Sequence, residues 1–330
     1  MHQTFNRRTV VALAAGSALG LGTMPALAQQ NFPSQTVKLI SPFPAGSGPD
    51  VVARIVGEKM GATFKQPVVV DARPGANGFL AMGAGKTAAA SGHDLLLADV
   101  GHLSVAPSLF KSLPYDPRGD YVPVGGLYRV SFYMVVANDS PHKTVKDLLA
   151  AAAANPDKMN YGHNSVGGPL HLGAAQIEAI SNTKMTAVAY KDTAQLYTAV
   201  ATGEVDWAIG SLASAGPLLK AGKLRLLAIA ETARSSQQPN VPTFEEAGGG
   251  KPVSVRSWVA VLAPKGTSAA NVDAINRALN DALRQPDVVE KLGGFGFVPF
   301  VAAPAQIGSL IDSDAVVYAD LVKRIGVPVQ

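Results

Sequence analysis

Three stretches of the chain hold residue types that could do covalent or metal chemistry. The first, Gly162 to Gly168 (GHNSVGG), offers Ser165 as a nucleophile. A strained strand-to-helix elbow needs glycine two residues before the serine, and that position is His163. A hydrolytic reading would also need a base and an acid, for which His171 and Asp206 are the available pair. The second, Ala84 to Thr87 (AGKT), has the ending of a phosphate-cradling loop, but the glycine required five residues before Gly85 is Leu80. It reads as a helix interior with an exposed lysine. The third is the set of six histidines. One stands at position 2, and no pair among the rest has helical i, i+4 ligand spacing or a carboxylate-bearing metal motif. Cysteine is absent, which excludes disulfides, thiolate zinc, iron–sulfur clusters and cysteine nucleophiles. The expectation is no catalytic residue, no metal and no cofactor.

Two glycine-rich turns carry a different chemistry. Residues 44–50 stand between an apolar run and an amphipathic one, where free backbone N–H groups and a positive helix end favour an anion. Gly46 and Gly48 let the backbone approach a ligand, and Ser47 brings a donor hydroxyl. Asp50 reads as a cap or first-turn acid. The same arrangement recurs at 162–169, ahead of a helix beginning near Pro169. One such turn means little, since many strand–helix turns need glycine. Two in separate halves of the chain suggest a clamp on a small carboxylate.

The elements that position these turns follow from the hydrophobic pattern. Gln35 to Phe43 reads as a strand, Val51 to Met60 as one stripe of a helix, Pro67 to Val70 as a second strand and Leu95 to Val100 as a third, with an Ala-rich helix between them. Alternation of this kind predicts an α/β protein with largely parallel sheets. Near Arg129 the pattern restarts with a long strand (RVSFYMVVAND), then helices and short strands to RLLAIAE. SWVAVLAP begins another strand, and two amphipathic helices close the chain. Two α/β halves joined by more than one crossing is the simplest organisation.

The chain has 330 residues, enough for two domains, with 47% hydrophobic and only 16% charged residues, which excludes wholesale disorder. It opens with Arg7-Arg8, an apolar stretch from Val10 to Leu21 and the small-x-small pattern Ala26-Leu27-Ala28, the features of a cleaved export leader. The Arg pair leaves both the general and the twin-arginine route open. Without the leader the formal charge falls from +4 to +2, and no basic cluster remains to track phosphates. Nucleic acid is not an expected partner.

The mature chain resembles the Bug-type periplasmic solute-binding proteins of tripartite tricarboxylate transporters, from about Phe32 to the last helix. PFPAGSGPDVVAR at Pro42 to Arg54, RPGANG at Arg73 to Gly78, YDPRGDYVPVG at Tyr115 to Gly125, GKLRLLAIAETAR at Gly222 to Arg234, VPTFEEAG at Val241 to Gly248 and SWVAVLAPKGT at Ser257 to Thr267 carry the likeness together. It implies a two-domain clamshell of the type II periplasmic-binding kind around a central ligand cleft. Residues 1–28 would be the signal peptide, 29–130 plus 253–330 the first domain and 131–252 the second.

Carried over by position, the first ligand loop is Phe43, Pro44, Ala45, Gly46, Ser47 and Gly48. The second is His163, Asn164, Ser165, Val166, Gly167 and Gly168. This chain departs from the family at His163, Ser165 and Gly168, and at Asp192 after Tyr190-Lys191. It also has His93-Asp94-Leu95 before the third strand, and Asp99 and His102 flank the loop after it. His102 and Asp192 are therefore added to the expected site. The resulting expectation is a periplasmic, monomeric binding protein that delivers a small organic acid to membrane permease subunits. An exported hydrolase using Ser165, or a binding protein serving another importer or a sensor, are the alternatives.

Overall fold

The computed structural model describes residues 32–164, 166–324, 326 and 329; the leader at 1–28 and Ser165 lie outside them. In chain order the first part holds β1 (Val37–Ser41), α1 (Gly48–Phe64), β2 (Val68–Ala72), α2 (Phe79–Thr87), β3 (Asp94–Asp99), α3 (Ala106–Leu109) and β4 (Tyr121–Val130). The middle part holds β5 (Phe132–Ala137), α4 (Val145–Ala154), β6 (Asn160–His163), α5 (Pro169–Ser181), β7 (Thr186–Ala189), α6 (Thr193–Ala201), β8 (Trp207–Ser211), α7 (Leu212–Lys220) and β9 (Leu224–Ile229). The chain then returns through β10 (Ser257–Pro264), α8 (Ala269–Leu283), α9 (Pro286–Gly294), β11 (Phe297–Pro299) and α10 (Pro304–Arg324).

The strands form two sheets, a six-stranded one ordered β11-β4-β10-β3-β1-β2 and a five-stranded one ordered β7-β6-β8-β5-β9. Both are mixed, where largely parallel sheets were expected. β1 pairs in parallel with β2 and β3, and β6 with β7 and β8, but β10 runs against both β3 and β4, and β5 against β8 and β9. The reason is the crossing of the chain. β10 enters the first sheet from the other lobe, at the end where β3 finishes, so it must run the opposite way. The strand expected from Arg129 to Asp139 is divided for the same reason. Val130 pairs with Ser257 in one sheet and Phe132 with Ser211 in the other, so the chain changes lobe at Ser131.

β10 is apolar along its length and all but its first residue is buried, the signature of a strand covered on both faces. On one face Leu39, Leu95, Leu97, Val259 and Val261 pack with residues of α1 and α8; on the other Ile40, Leu96, Ala98, Trp258 and Leu262 pack with residues of α2 and α10. Each fully buried leucine contributes about 1.5–3 kcal/mol. The second lobe has its own core around Tyr133, Tyr197 and Trp207. Three of its helices start on side-chain caps: Thr144 and Asp147 form a reciprocal capping box on α4, Ser211 with Ser214 does so on α7, and Asp192 caps α6. Four elements escaped the pattern reading: β4, β11, the one-turn α3 and the short α9 between the two expected closing helices. Pro123 and the Gly125-Gly126 pair disguise β4, and β11 is only three residues long.

Candidate functional site

The lobes face each other at the carboxyl ends of β1 and β3 on one side and of β6 on the other. The loop after β1 holds itself in shape. Gly46, at φ +79°, donates its N–H to Asp50 Oδ2 at 2.9 Å. Arg54 donates to both carboxylate oxygens of Asp50 at 2.9 and 3.0 Å. Burial pushes the Asp50 carboxyl up, and the hydrogen bonds from Arg54 and Gly46 outweigh it, so the group sits below its usual value. A negative charge thus already occupies the first turn of α1, where a bound anion would gain from the helix dipole. Both the hydroxyl and the N–H of Ser47 donate to Pro44 O, at 2.6 and 3.1 Å. The donors foreseen on Gly46 and Ser47 are therefore used inside the loop. The N–H groups of Ala45, Gly48 and Asp50 are the ones without an acceptor among the described residues.

His102 ties three segments together at the end of β3. Its Nδ1 lies 2.6 Å from Asp99 Oδ1, and its backbone N–H donates to the same oxygen at 3.0 Å. Burial disfavours the charged imidazole, yet the Asp99 carboxylate prevails and raises its pKa, while lowering that of Asp99. The Phe43 ring meets His102 edge to face at 6.1 Å, and Tyr115 Oη donates to His102 O at 2.8 Å. The turn at Gly75 to Gly78 covers the imidazole so closely that a Cβ on Gly78 would lie 2.0 Å from its Nε2. Gly78 has φ +83°, and the left-handed Asn77 precedes it. This gives the RPGANG motif, which carried no assigned role in the sequence, a physical purpose.

On the opposite lobe His163 ends β6 and is buried, stacked on His171 with ring centroids 4.2 Å apart and planes within 8°. The Gly167 N–H donates to His171 Nδ1 at 3.2 Å. Burial, with His163 adding to it, pushes the His171 imidazole down to about 4. The second loop is thus braced from beneath by a neutral histidine.

Between these parts lies a cavity of about 510 Å³. Asn77, Phe79, Asp99, His102, Leu109 and Phe110 line it from one lobe, and Val166, Gly167, Gly168, Pro169 and Leu172 from the other. Of the expected site residues, His102, Val166, Gly167 and Gly168 line this space directly, and Phe43 borders it through His102. His163 lies behind the second loop, and Asn164 is exposed. Asp192 is an exposed cap on α6, its Oδ1 accepting the Gln195 N–H at 2.9 Å. The residues not foreseen are chiefly apolar, Phe79, Leu109, Phe110 and Leu172, which sequence periodicity cannot distinguish from core. Asp206 exchanges hydrogen bonds with Asn160 at the start of β6, whereas the Ser165 loop follows its end. The acid proposed for a Ser165 triad therefore stands at the wrong end of the sheet. Among the described residues no cluster could hold a metal ion, and no helix is long and apolar enough to cross a membrane.

Two lobes joined by two crossings, with a lined cleft between them, form a two-lobed clamshell of the periplasmic-binding kind. Residues 52–327 match the family described as "Tripartite tricarboxylate transporter family receptor", and the chain belongs to it as a solute-binding protein. It is 34% identical to the UPF0065 protein in the tcbD-tcbE intergenic region of Pseudomonas sp. (strain P51), over 93% of this chain and 91% of that one. It is 31% identical to BugT of Bordetella pertussis, over 92% and 94%. Among solved structures, Rpa4515 of R. palustris with adipate superposes with a TM-score of 0.72 at 27% identity, covering 89% of this chain and 98% of that one. MatC (Rpa3494) from Rhodopseudomonas palustris with bound malate gives 0.68 at 29%, covering 88% and 100%.

Proposed function

We propose that this protein captures a small organic acid in the cleft, as an exported periplasmic monomer without cofactor, and delivers it to the permease subunits of a tripartite transporter. One observation carries the reading: the cavity sets the N-terminus of α5, at Gly167 to Pro169, opposite the Asp99–His102 pair. The helix end favours a carboxylate by about 0.3–1 kcal/mol when exposed and more when water is excluded. Asp99 favours the protonated form of His102, which offsets its charge when present, and the Asp99 carboxylate favours a ligand that also carries a hydroxyl or amine donor. The adipate and malate held by the two similar structures are acids of this size. In this reading closure moves residues 29–130 with 253–330 against 131–252.

Thermal-shift and calorimetric titrations with mono-, di- and tricarboxylates, hydroxy acids and neutral sugars test the assignment. Stabilisation by at least one acid and by no sugar is expected. Stabilisation by neutral sugars alone would remove the carboxylate assignment. Ester hydrolysis that disappears in Ser165→Ala would return the enzyme reading.

A further inference from the structure

A larger cavity, of about 700 Å³, lies at the hinge and includes neither of the two cleft loops. Its wall takes in both crossings, Val130 on one and Ser254 to Ser257 on the other, with Glu231 from the second lobe and the first half of α10 from the other. We propose that this cavity is a second binding site for a compact organic acid, whose carboxylate pairs with the Arg129 guanidinium and whose body lies against Val130, Val255 and Leu310.

Arg129 is the reason. It stands on β4 in register with Trp258, and its guanidinium carbon lies 3.9 Å from the centroid of the Phe300 ring. Stacking fixes the guanidinium plane and leaves its N–H edges for a bidentate acceptor. Yet Arg129 makes no hydrogen bond and no ion pair among the described residues. The charged groups around it are committed elsewhere. Arg256 donates to Asp314 and to Ser254 Oγ, and the other Asp314 oxygen accepts from Trp258 Nε1 at 2.8 Å. The Glu231 carboxyl is held by Ser131, and burial shifts it toward its neutral form. Arg129 is exposed at the cavity wall; partial desolvation there, with Arg256 nearby, disfavours its charge, and Glu231 offsets this in part. Held against the Phe300 ring at the wall of a cavity, the guanidinium presents a fixed edge to a bound carboxylate in a bidentate, charge-assisted pairing. Because the wall belongs to both lobes, an occupant would touch the two bodies that must move when the cleft closes.

The probe is 4-bromobenzoate with the full-length mature protein. Anomalous diffraction from crystals grown with it locates the bromine, and Trp258, which lines the cavity, reports binding by fluorescence. A bromine peak in the hinge cavity is expected, with saturable quenching that weakens about ten-fold or more in Arg129→Gln. Ser309→Leu, which fills the space from an exposed helix position, should abolish the signal while the protein still melts cooperatively. Bromine only in the cleft, bromine nowhere, or unchanged affinity in Arg129→Gln would each overturn the proposal. The bromine position separates this site from the cleft, so failure of carboxylate capture in one leaves the other decided on its own.

Discussion

The Gly167 N–H donates to His171 Nδ1 at 3.2 Å, so the helix that follows the second cleft loop supplies the acceptor that fixes that loop. The bond requires a neutral imidazole, because a protonated Nδ1 cannot accept. Burial against His163 enforces this by holding the His171 pKa near 4.

Stability should therefore depend on His171 in acid. Above pH 6.5 the group is neutral in both folded and unfolded chains, and its contribution is fully present. As the pH falls from 6.5 toward 4 only the unfolded chain takes up a proton, so stability is lost, by up to about 3 kcal/mol. His171→Leu should cost about 1–3 kcal/mol at pH 7.5 through the orphaned Gly167 N–H. Its stability should also fall less steeply between pH 6.5 and 4. Urea denaturation at a series of pH values checks this, and parallel profiles for the two proteins would refute it.

Asp50→Ala removes the acceptor of the Gly46 N–H and the partner of Arg54. A loss of about 1–3 kcal/mol is expected, with weaker ligand binding because the first cleft loop loses its brace. The folded pKa of Asp50 is depressed, so this contribution is present above about pH 4 and disappears as the pH falls through the folded value. Denaturation at pH 7, with isothermal titration of whichever acid the screen identifies, measures both effects. Wild-type stability together with wild-type affinity would show that the loop holds its shape without Asp50.

Two glycines with similar backbones separate strain from collision. Gly78 has φ +83° and Gly203 φ +74°, but a Cβ at Gly203 meets nothing within 4 Å, whereas at Gly78 it strikes His102. Gly203→Ala should cost about 1 kcal/mol. Gly78→Ala should cost clearly more and weaken cleft binding, since His102 must leave Asp99. Equal melting temperatures for the two variants would contradict the described seat of His102.

Leu172 on α5 is 1% exposed and belongs to the same buried cluster as Trp258 and Tyr318, which stand on the other lobe. Leu172→Ala should lower stability by about 2–4 kcal/mol and loosen the contact between lobes. Small-angle scattering should then show a larger radius of gyration without ligand. A destabilised protein of unchanged radius would place the Leu172 contribution within one lobe only.

How much was legible varies with the kind of residue. The two glycine turns could be placed on strand–helix junctions, because a short apolar run, glycine and an amphipathic stretch leave few other arrangements. What their donors do could not be read. Gly46 and Ser47 looked available to a ligand, yet Asp50 and Pro44 take their hydrogens, since a side chain four residues on folds back over the turn. Asp192 looked like a cleft acid and is found capping α6. The Leu109, Phe110 and Leu172 side chains in the cleft wall are ordinary apolar residues along the chain, and only the approach of the lobes makes them part of the cavity.

By itself the sequence determined the class of most elements, the family and the junctions where ligand loops stand, because these rest on local periodicity, on glycine and proline, and on ordered motifs. The tertiary structure decided the mixed direction of the sheets, the break of one apolar run at Ser131 into two lobes, and the pairing of His102 with Asp99. It also left Arg129 stacked on Phe300 in the hinge cavity without an anion to pair with among the described residues. The physical reason is common to all of these. Whether a polar group is free, satisfied or buried depends on atoms brought near from distant parts of the chain, and the chain's local pattern does not contain them.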